Sequence, residues 1–369
     1  MDVLETTLRD GSYAINFQFT ANDTSVIASA LEGAGFRLIE IGHGVGMNAS
    51  ATTKEVAIET DEAYLQAAAQ VLSKAKFGMF CIPGIARLQD IDLAAEYGMG
   101  FIRIGTDVSK VPESEPFIAR AKQHGMLVCA NFMKSYACSP SEFAERARLS
   151  QKYGADVLYV VDSSGGMLPS DIEKYFRAVQ ATCDIPLAFH GHNNMGLAMA
   201  NTVESVRLGA TIVDSSLQGM GRSAGNASTE HTIATLNRMG IDLGIDLIEV
   251  LEIGEKYIRP LIRRRGLSSL DVIAGYAQFH SSYMSTIRKY ASKYRVDPRK
   301  LIINLCEVDK VNAAAELVEK IARQLQSNEV EVFTARYDFD EYFGEEQSLQ
   351  TQDQPVAVTA MNSLMRTQG

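Results

Sequence analysis

"VLYVVDSSGGMLPSDIEKYFRAVQATCDIPLAFHGHNN" (157–194) holds one structural unit and the start of the next. "VLYVVD" (157–162) is a short apolar, β-branched run, the composition of a strand covered on both faces. A Ser-Ser-Gly-Gly turn follows it. "LPSDIEKYFRAVQA" (168–181) then spaces its apolar residues at helical intervals, and "PLAFHGH" (186–192) is again strand-like. Strand, helix, strand with no hairpin turn predicts two parallel strands joined by a crossover helix.

The same unit recurs on both sides. Further strands are predicted at 2–8, 37–42, 76–82, 101–106, 127–133 and 211–217. Amphipathic segments such as "NDTSVIASALEGAG" (22–35), "DEAYLQAAAQVLSKA" (61–75) and "SPSEFAERARLSQKYG" (139–154) separate them. Many open on a Ser, Thr, Asp or Asn cap and several close at glycine. Eight β-then-α units in series predict an α/β protein built as a closed TIM (β/α)8 barrel. No G-x-G-x-x-G follows the first strand, which removes the main support for a dinucleotide-binding sheet. Past about residue 244 the pattern is helical only. The expected organisation is a catalytic barrel over 1–243, a C-terminal helical domain over 244–344 covering the mouth, and a loose Gln-rich tail over 345–369.

The 369 residues carry a formal net charge of −10, and 46% are hydrophobic. That acidity argues against nucleic acid or an anionic membrane as partner, since both require a basic surface. No apolar run has the length of a membrane span, and "MDVLETTLRDG" is not a signal peptide, so the expected location is cytoplasmic. The five cysteines form no C-x-x-C pair and are expected to be buried thiols.

In such a barrel the reacting groups lie at the C-terminal ends of the strands. Those ends carry Arg9 and Asp10, then Glu40 with His43 in the following loop, then "VDSSGG", "FHGHNN", and Asp214 before "GMGRSAGN" (219–226). His190 and His192 stand two apart, so both project to one side of their strand. Two imidazoles and a carboxylate make a three-ligand metal set with room for substrate, and Asp10 is the obvious third ligand. Arg9 beside it suits a carboxylate or a developing enolate oxygen. Asn226 and the glycines near it offer further polar groups, and His43 could support the site. Lys134 near the end of the fifth strand raises the alternative of a Schiff-base aldolase, which a metal site makes unnecessary. His124 and His231 read as structural helix-end residues.

"TLRDGS", "VDSSGG", "FHGHNNMGLAMAN" and "DSSLQGMGRSAGNAS" resemble, in this order, the motifs of the DRE-TIM metallolyases. "LRDGSYAINFQFT", "IPGIA" and "GYAQFHSS" are most similar to the 4-hydroxy-2-oxovalerate (4-hydroxy-2-ketoacid) aldolases. The resemblance covers about residues 2 to 290 and implies a class II pyruvate aldolase acting on a 2-ketoacid and an aldehyde. It implies a divalent metal on Asp10, His190 and His192, manganese first, with magnesium or cobalt as alternatives. Arg9 would stabilise the pyruvate enolate, and Ser163 would lie near the substrate carboxylate. Cys81 and Ile82 are expected to line the aldehyde pocket. A homodimer and an acylating aldehyde dehydrogenase partner are further implications. Two departures stand out. Tyr13 occupies the place where the family carries a catalytic His, and His280 the place of its Tyr. Either the base has been lost, or the pair has been exchanged and His280 is the base, since imidazole titrates near neutrality and a phenol does not. Exchange is the favoured reading. Asn193 also stands where these aldolases often have a third His. The competing functions are an acyl-CoA condensing synthase, a lyase of the HMG-CoA type, and a non-catalytic barrel. The lyase type uses a Cys in the loop after the eighth strand, and 219–226 has none.

Overall fold

The computed structural model describes residues 1–53, 55–262 and 269–326. Eight parallel strands close into a barrel in sequence order: β1 (Asp2–Glu5), β2 (Leu38–Glu40), β3 (Lys76–Cys81), β4 (Phe101–Asp107), β5 (Leu127–Met133), β6 (Val157–Asp162), β7 (Leu187–Gly191) and β8 (Ile212–Ser215), with β8 pairing back onto β1. The predicted barrel is therefore the observed one. β1 is shorter than the apolar run that marks it. After Glu5 the chain curls, and the Arg9, Asp10 and Gly11 amides all donate to the Thr6 carbonyl (3.1, 2.8 and 3.2 Å). This starts a 3-10 turn at Asp10–Ile15 instead of further strand.

Two of the barrel helices open on reciprocal capping boxes. Thr20 Oγ1 accepts from the Asp23 amide (3.1 Å) and Asp23 Oδ2 from the Thr20 amide (2.9 Å), a reciprocal box that opens Ala21–Gly33. Ser139 and Glu142 repeat it for Pro140–Tyr153, which ends at Gly154 with φ 100°.

The inward-facing residues are graded along the barrel axis. Leu4, Leu38, Phe101, Val157 and Ile212 form a small apolar plug. Two residues further along β2, β4 and β8 come Glu40, Arg103 and Asp214, all buried. Beyond these lies the mouth. The main apolar core fills the layer between sheet and helices, with Ile27, Leu65, Ile91, Ile118, Phe143 and Phe176 from successive helices.

Ile245, Val250, Ile253 and Ile258 pack into that same layer, and a second core begins only at Leu270. The packing boundary thus falls later than the change of pattern at 244, because the first helix after it, Leu247–Ile253, still covers the barrel. Ser269–Ala277, Met284–Tyr294, Pro298–Val308 and Ala315–Gln326 enclose the second core, centred on Ile287, Leu301, Leu305 and Val318. The segment assigned to a tail, 345–369, lies outside the described residues. Among those described, no helix is long and apolar enough to cross a membrane.

Candidate active site

Asp10, His190 and His192 converge at the mouth, each buried, with one potential ligand atom apiece within 4.8 Å of the others. Asp10 arrives on the turn after β1, and the histidines on and just past β7. β8 lies between those strands, so the three side chains bridge a gap of one strand. His192 is held at the strand end by a bridge to Asn226, which brings the loop after β8 against it.

A continuous ladder of buried ion pairs supports the cluster from below. Asp10 Oδ1 accepts from Arg9 Nη1 (2.7 Å), and Arg9 Nε donates to Glu40 Oε2 (2.7 Å). The same Glu40 oxygen accepts from Arg103 Nη1 (2.7 Å), Arg103 Nη2 donates to Asp214, and His190 Nδ1 donates to Asp214 Oδ2 (2.8 Å). The ladder leaves one candidate ligand and returns to another. The Arg9 guanidinium lies 4.8 Å from the Phe80 ring centroid, and that of Arg103 4.5 Å from Tyr159. A Cβ on Gly105 would overlap the Phe80 ring, so glycine on β4 makes room for that stacking.

The electrostatics follow from these contacts. Burial alone would raise the Asp10 pKa, but Arg9 and the two imidazoles outweigh it, together with a 2.7 Å bond from Asn226 Nδ2, and Asp10 stays a carboxylate. Burial pushes His192 down to about 3, so its ring is neutral near pH 7. Asp214 occupies His190 Nδ1 and leaves Nε2 for a ligand bond. His192 Nδ1 and Asn226 Oδ1 are buried without a hydrogen-bond partner. One carboxylate, two imidazoles and two buried polar atoms without a partner are the donor chemistry of a divalent cation, and the residues fit one.

The remaining expected residues divide. Ser163 is buried beside the mouth and accepts from the Lys134 amide (3.0 Å). Its loop is pinned by Asp162, which accepts from the Gly166 and Met167 amides (3.1 and 3.0 Å). His43 is fully committed: Nε2 donates to the Glu55 carbonyl (2.9 Å), Nδ1 accepts from the Val45 amide (3.0 Å), and the ring stacks on Phe17. It braces the loop whose Gly44 carbonyl accepts from Arg9 (3.3 Å). Asn193 Oδ1 accepts from the Ala198 amide (3.2 Å), a capping contact. Cys81 requires correction. Its side chain is buried in the core between sheet and helices, because residue 81 shares the outward parity of Phe77 and Met79. The inward residue of β3 is Phe80. Ile82, part-exposed beyond the strand, has the parity of Phe80. Lys134 Nζ is held by Asp107 (3.1 Å), Tyr283 Oη (3.0 Å) and the Val311 carbonyl (2.9 Å), so its nitrogen is tied to three partners. His124 bonds Asp92 and His231 bonds Ser228, both away from the mouth.

Tyr13 and His280 each lie against Arg222, a residue the sequence reading passed over. Arg222 lies with its guanidinium 5.7 Å from the Tyr13 ring centroid, and its Nη2 is 2.8 and 3.0 Å from the two nitrogens of His280. Its Nε donates to Ser281 Oγ (2.8 Å) and its amide to Asp10 Oδ2 (3.4 Å). Burial first, then Arg222 and Lys134, hold His280 neutral, while burial raises Tyr13 above the ordinary phenol range. Arg103 is the second omission. A long cation inside the glycine-rich "GMGRSAGN", and another inside the apolar "FIRIGT", were the available signals.

The HMGL-like family model matches residues 1–256. A 4-hydroxy-2-oxovalerate aldolase of Carboxydothermus hydrogenoformans is 35% identical over 88% of this chain and 96% of its own length. One of Pelotomaculum thermopropionicum is 36% identical over 88% and 96%. The carboxyl transferase domain of Rhizobium etli pyruvate carboxylase superimposes with a TM-score of 0.73 at 14% identity, covering 92% of this chain and 62% of that one, a likeness of fold. With more than half its length matched, and relatives above 30% identity along nearly their whole length, this chain belongs to the HMGL-like family.

Proposed function

We propose that the chain is a divalent-metal-dependent aldolase that reversibly cleaves a 4-hydroxy-2-oxo acid to pyruvate and an aldehyde. The Asp10–His190–His192 cluster, with Arg9 locked against it by the ion ladder, carries this reading. The relatives' name supports it. A bound cation would act as a Lewis acid on the keto acid, with manganese preferred for a mixed imidazole and carboxylate set and magnesium or cobalt as substitutes.

The protein's own groups account for the remaining steps. Ser163 orients the substrate carboxylate. His280 takes the proton of the 4-hydroxyl, the C3–C4 bond breaks, and its electron pair forms the enolate of pyruvate. Arg9 stabilises the enolate oxygen, protonation at C3 gives pyruvate, and the aldehyde leaves. Tyr13 supplies a phenol hydroxyl beside Arg222. Because its phenol stays protonated, Tyr13 is suited to donate and not to abstract. Retro-aldol assays of His280→Ala and Tyr13→Phe test the assignment. His280→Ala should lose roughly 100-fold or more in kcat, in the range of a general base. Full activity in His280→Ala with none in Tyr13→Phe would refute the exchanged base. A cytoplasmic location is proposed from the sequence reading, and a homodimer and a dehydrogenase partner on family resemblance alone.

A further inference from the structure

We infer that Lys134 is a positioning residue for the proposed base: it pins the turn that carries His280 to the barrel mouth. This inference rests on the aldolase reading with His280 as base, and adds a residue outside the reacting groups.

Lys134 follows β5 directly, with φ 56° and ψ 44°, a left-handed backbone that residues other than glycine seldom adopt. The Ser163 hydroxyl accepts from its amide (3.0 Å), and the residue is buried. A lysine offers three N–H donors and no acceptor, and Nζ meets three acceptors. One belongs to the barrel, Asp107 at the end of β4 (3.1 Å). The other two belong to the C-terminal helical unit, Tyr283 Oη (3.0 Å) and the Val311 carbonyl (2.9 Å). A buried side chain on a strained turn, with two of its three bonds made to another packing unit, serves the junction between the two.

Tyr283 and His280 belong to one turn. Ser281–Tyr283 is a single 3-10 turn capped by His280, whose carbonyl accepts from the Tyr283 amide (3.2 Å). His280 Nδ1 lies 2.6 Å from Ser282 Oγ, which ties the ring to that turn. Asn194 Nδ2 donates to the Asp271 carbonyl (3.1 Å) and Arg222 Nε to Ser281 Oγ (2.8 Å), and both also dock the helical unit. These two reach it from the loops after β7 and β8, whereas Lys134 reaches it from β5. Without Lys134 the unit stays docked on one side, and the His280 turn loses its hold on the other. A shift of about 1 Å at a reacting group can lower the rate on the order of 100-fold.

The test compares full-length wild type, Lys134→Met, Tyr283→Phe and the double variant. Methionine keeps the apolar stem, and Asp107 keeps its bonds from the Ser109 amide and hydroxyl (3.1 and 2.9 Å). Amide hydrogen exchange over 280–294 and 311–318 is read without metal. Mn2+ affinity is read separately, with kcat and KM for cleavage of racemic 4-hydroxy-2-oxovalerate by the loaded enzyme. Lys134→Met should exchange faster in those segments and lose on the order of 10- to 100-fold in kcat, with KM and Mn2+ affinity within about twofold. Tyr283→Phe should lose about 10-fold, and the double variant no more than Lys134→Met. Unchanged segment exchange, wild-type kcat in Lys134→Met, an equal loss of metal affinity, or losses that add in the double variant would overturn the inference. If Lys134→Met does not fold, Tyr283→Phe decides. His280→Ala, run beside them, separates the two readings. Cleavage lost there but kept in Lys134→Met sinks only the positioning role; cleavage kept in His280→Ala sinks the base assignment as well. A wild type that neither cleaves nor exchanges pyruvate methyl protons sinks the aldolase reading, and segment exchange then decides whether Lys134 pins the turn.

Discussion

Replacing Arg103 by Met should both destabilise the barrel and weaken its hold on metal, although Arg103 touches no ligand atom. Its side chain is fully buried, with one nitrogen on Glu40 Oε2 (2.7 Å) and another on Asp214. Methionine keeps much of the volume but leaves two buried carboxylates with one cationic or imidazole partner each, Arg9 for Glu40 and His190 for Asp214. Breaking a buried pair from one side costs about 3–5 kcal/mol, and protonation of a carboxylate recovers part of it. For a domain of this size that is a fall in Tm of roughly 6–15 °C. The metal effect follows from Asp214. Once Arg103 is gone, Asp214 is less able to fix the ring of His190, and loss of such an outer contact lowers metal affinity about 10- to 100-fold. Thermal unfolding without metal and calorimetric titration with Mn2+ measure the two effects. A cycle with Glu40→Gln adds a check, since neutralising Glu40 should reduce the cost of Arg103→Met. A variant within about 1 kcal/mol of wild-type stability and twofold in metal affinity would refute the ladder.

Other expectations concern groups away from the reacting atoms. Burial raises the Glu5 pKa from 4.5 to about 7, against four hydrogen bonds from Thr7, Leu217 and Thr229 that favour the carboxylate. The folded state therefore holds this proton more tightly than the unfolded chain does. Its contribution is fully present below about pH 4.5 and is lost as pH rises through about 7, an order-of-magnitude change of ~3 kcal/mol. Tm measured from pH 5 to 8 should fall more steeply for wild type than for Glu5→Gln; parallel curves would contradict this. Borohydride added with pyruvate should leave activity intact, because Lys134 is tied to Asp107, Tyr283 and Val311. Pyruvate-dependent inactivation would instead mark an imine.

The architecture was legible because the buried strands are short apolar runs with amphipathic helices between them, many of them capped, and that pattern survives folding. Asp10, His190 and His192 were legible for a related reason: strand ends and the two-residue period fix where those side chains point. The same period, applied to 76–81, would have turned Cys81 outward and Phe80 inward. Arg103 was hidden by its apolar neighbours on β4, and nothing local shows that its partners Glu40 and Asp214 lie on β2 and β8. Arg222 sits 58 residues from His280, in a loop whose glycines read as turn chemistry. Contacts of that range depend on how the C-terminal helices dock, which no local pattern records. Tyr13 and His280 were paired only through family resemblance, and the guanidinium joining them needed coordinates.

The central claim is a metal site that stabilises pyruvate enolate, and proton exchange at the pyruvate methyl group in deuterated water tests it without an aldehyde. Wild-type protein with Mn2+ should exchange those protons, chelator should stop the exchange, and Asp10→Asn or His190→Ala should abolish both tight metal binding and exchange. Exchange that continues in a metal-stripped sample or in these variants, or a wild type that binds metal and never exchanges, would contradict the account.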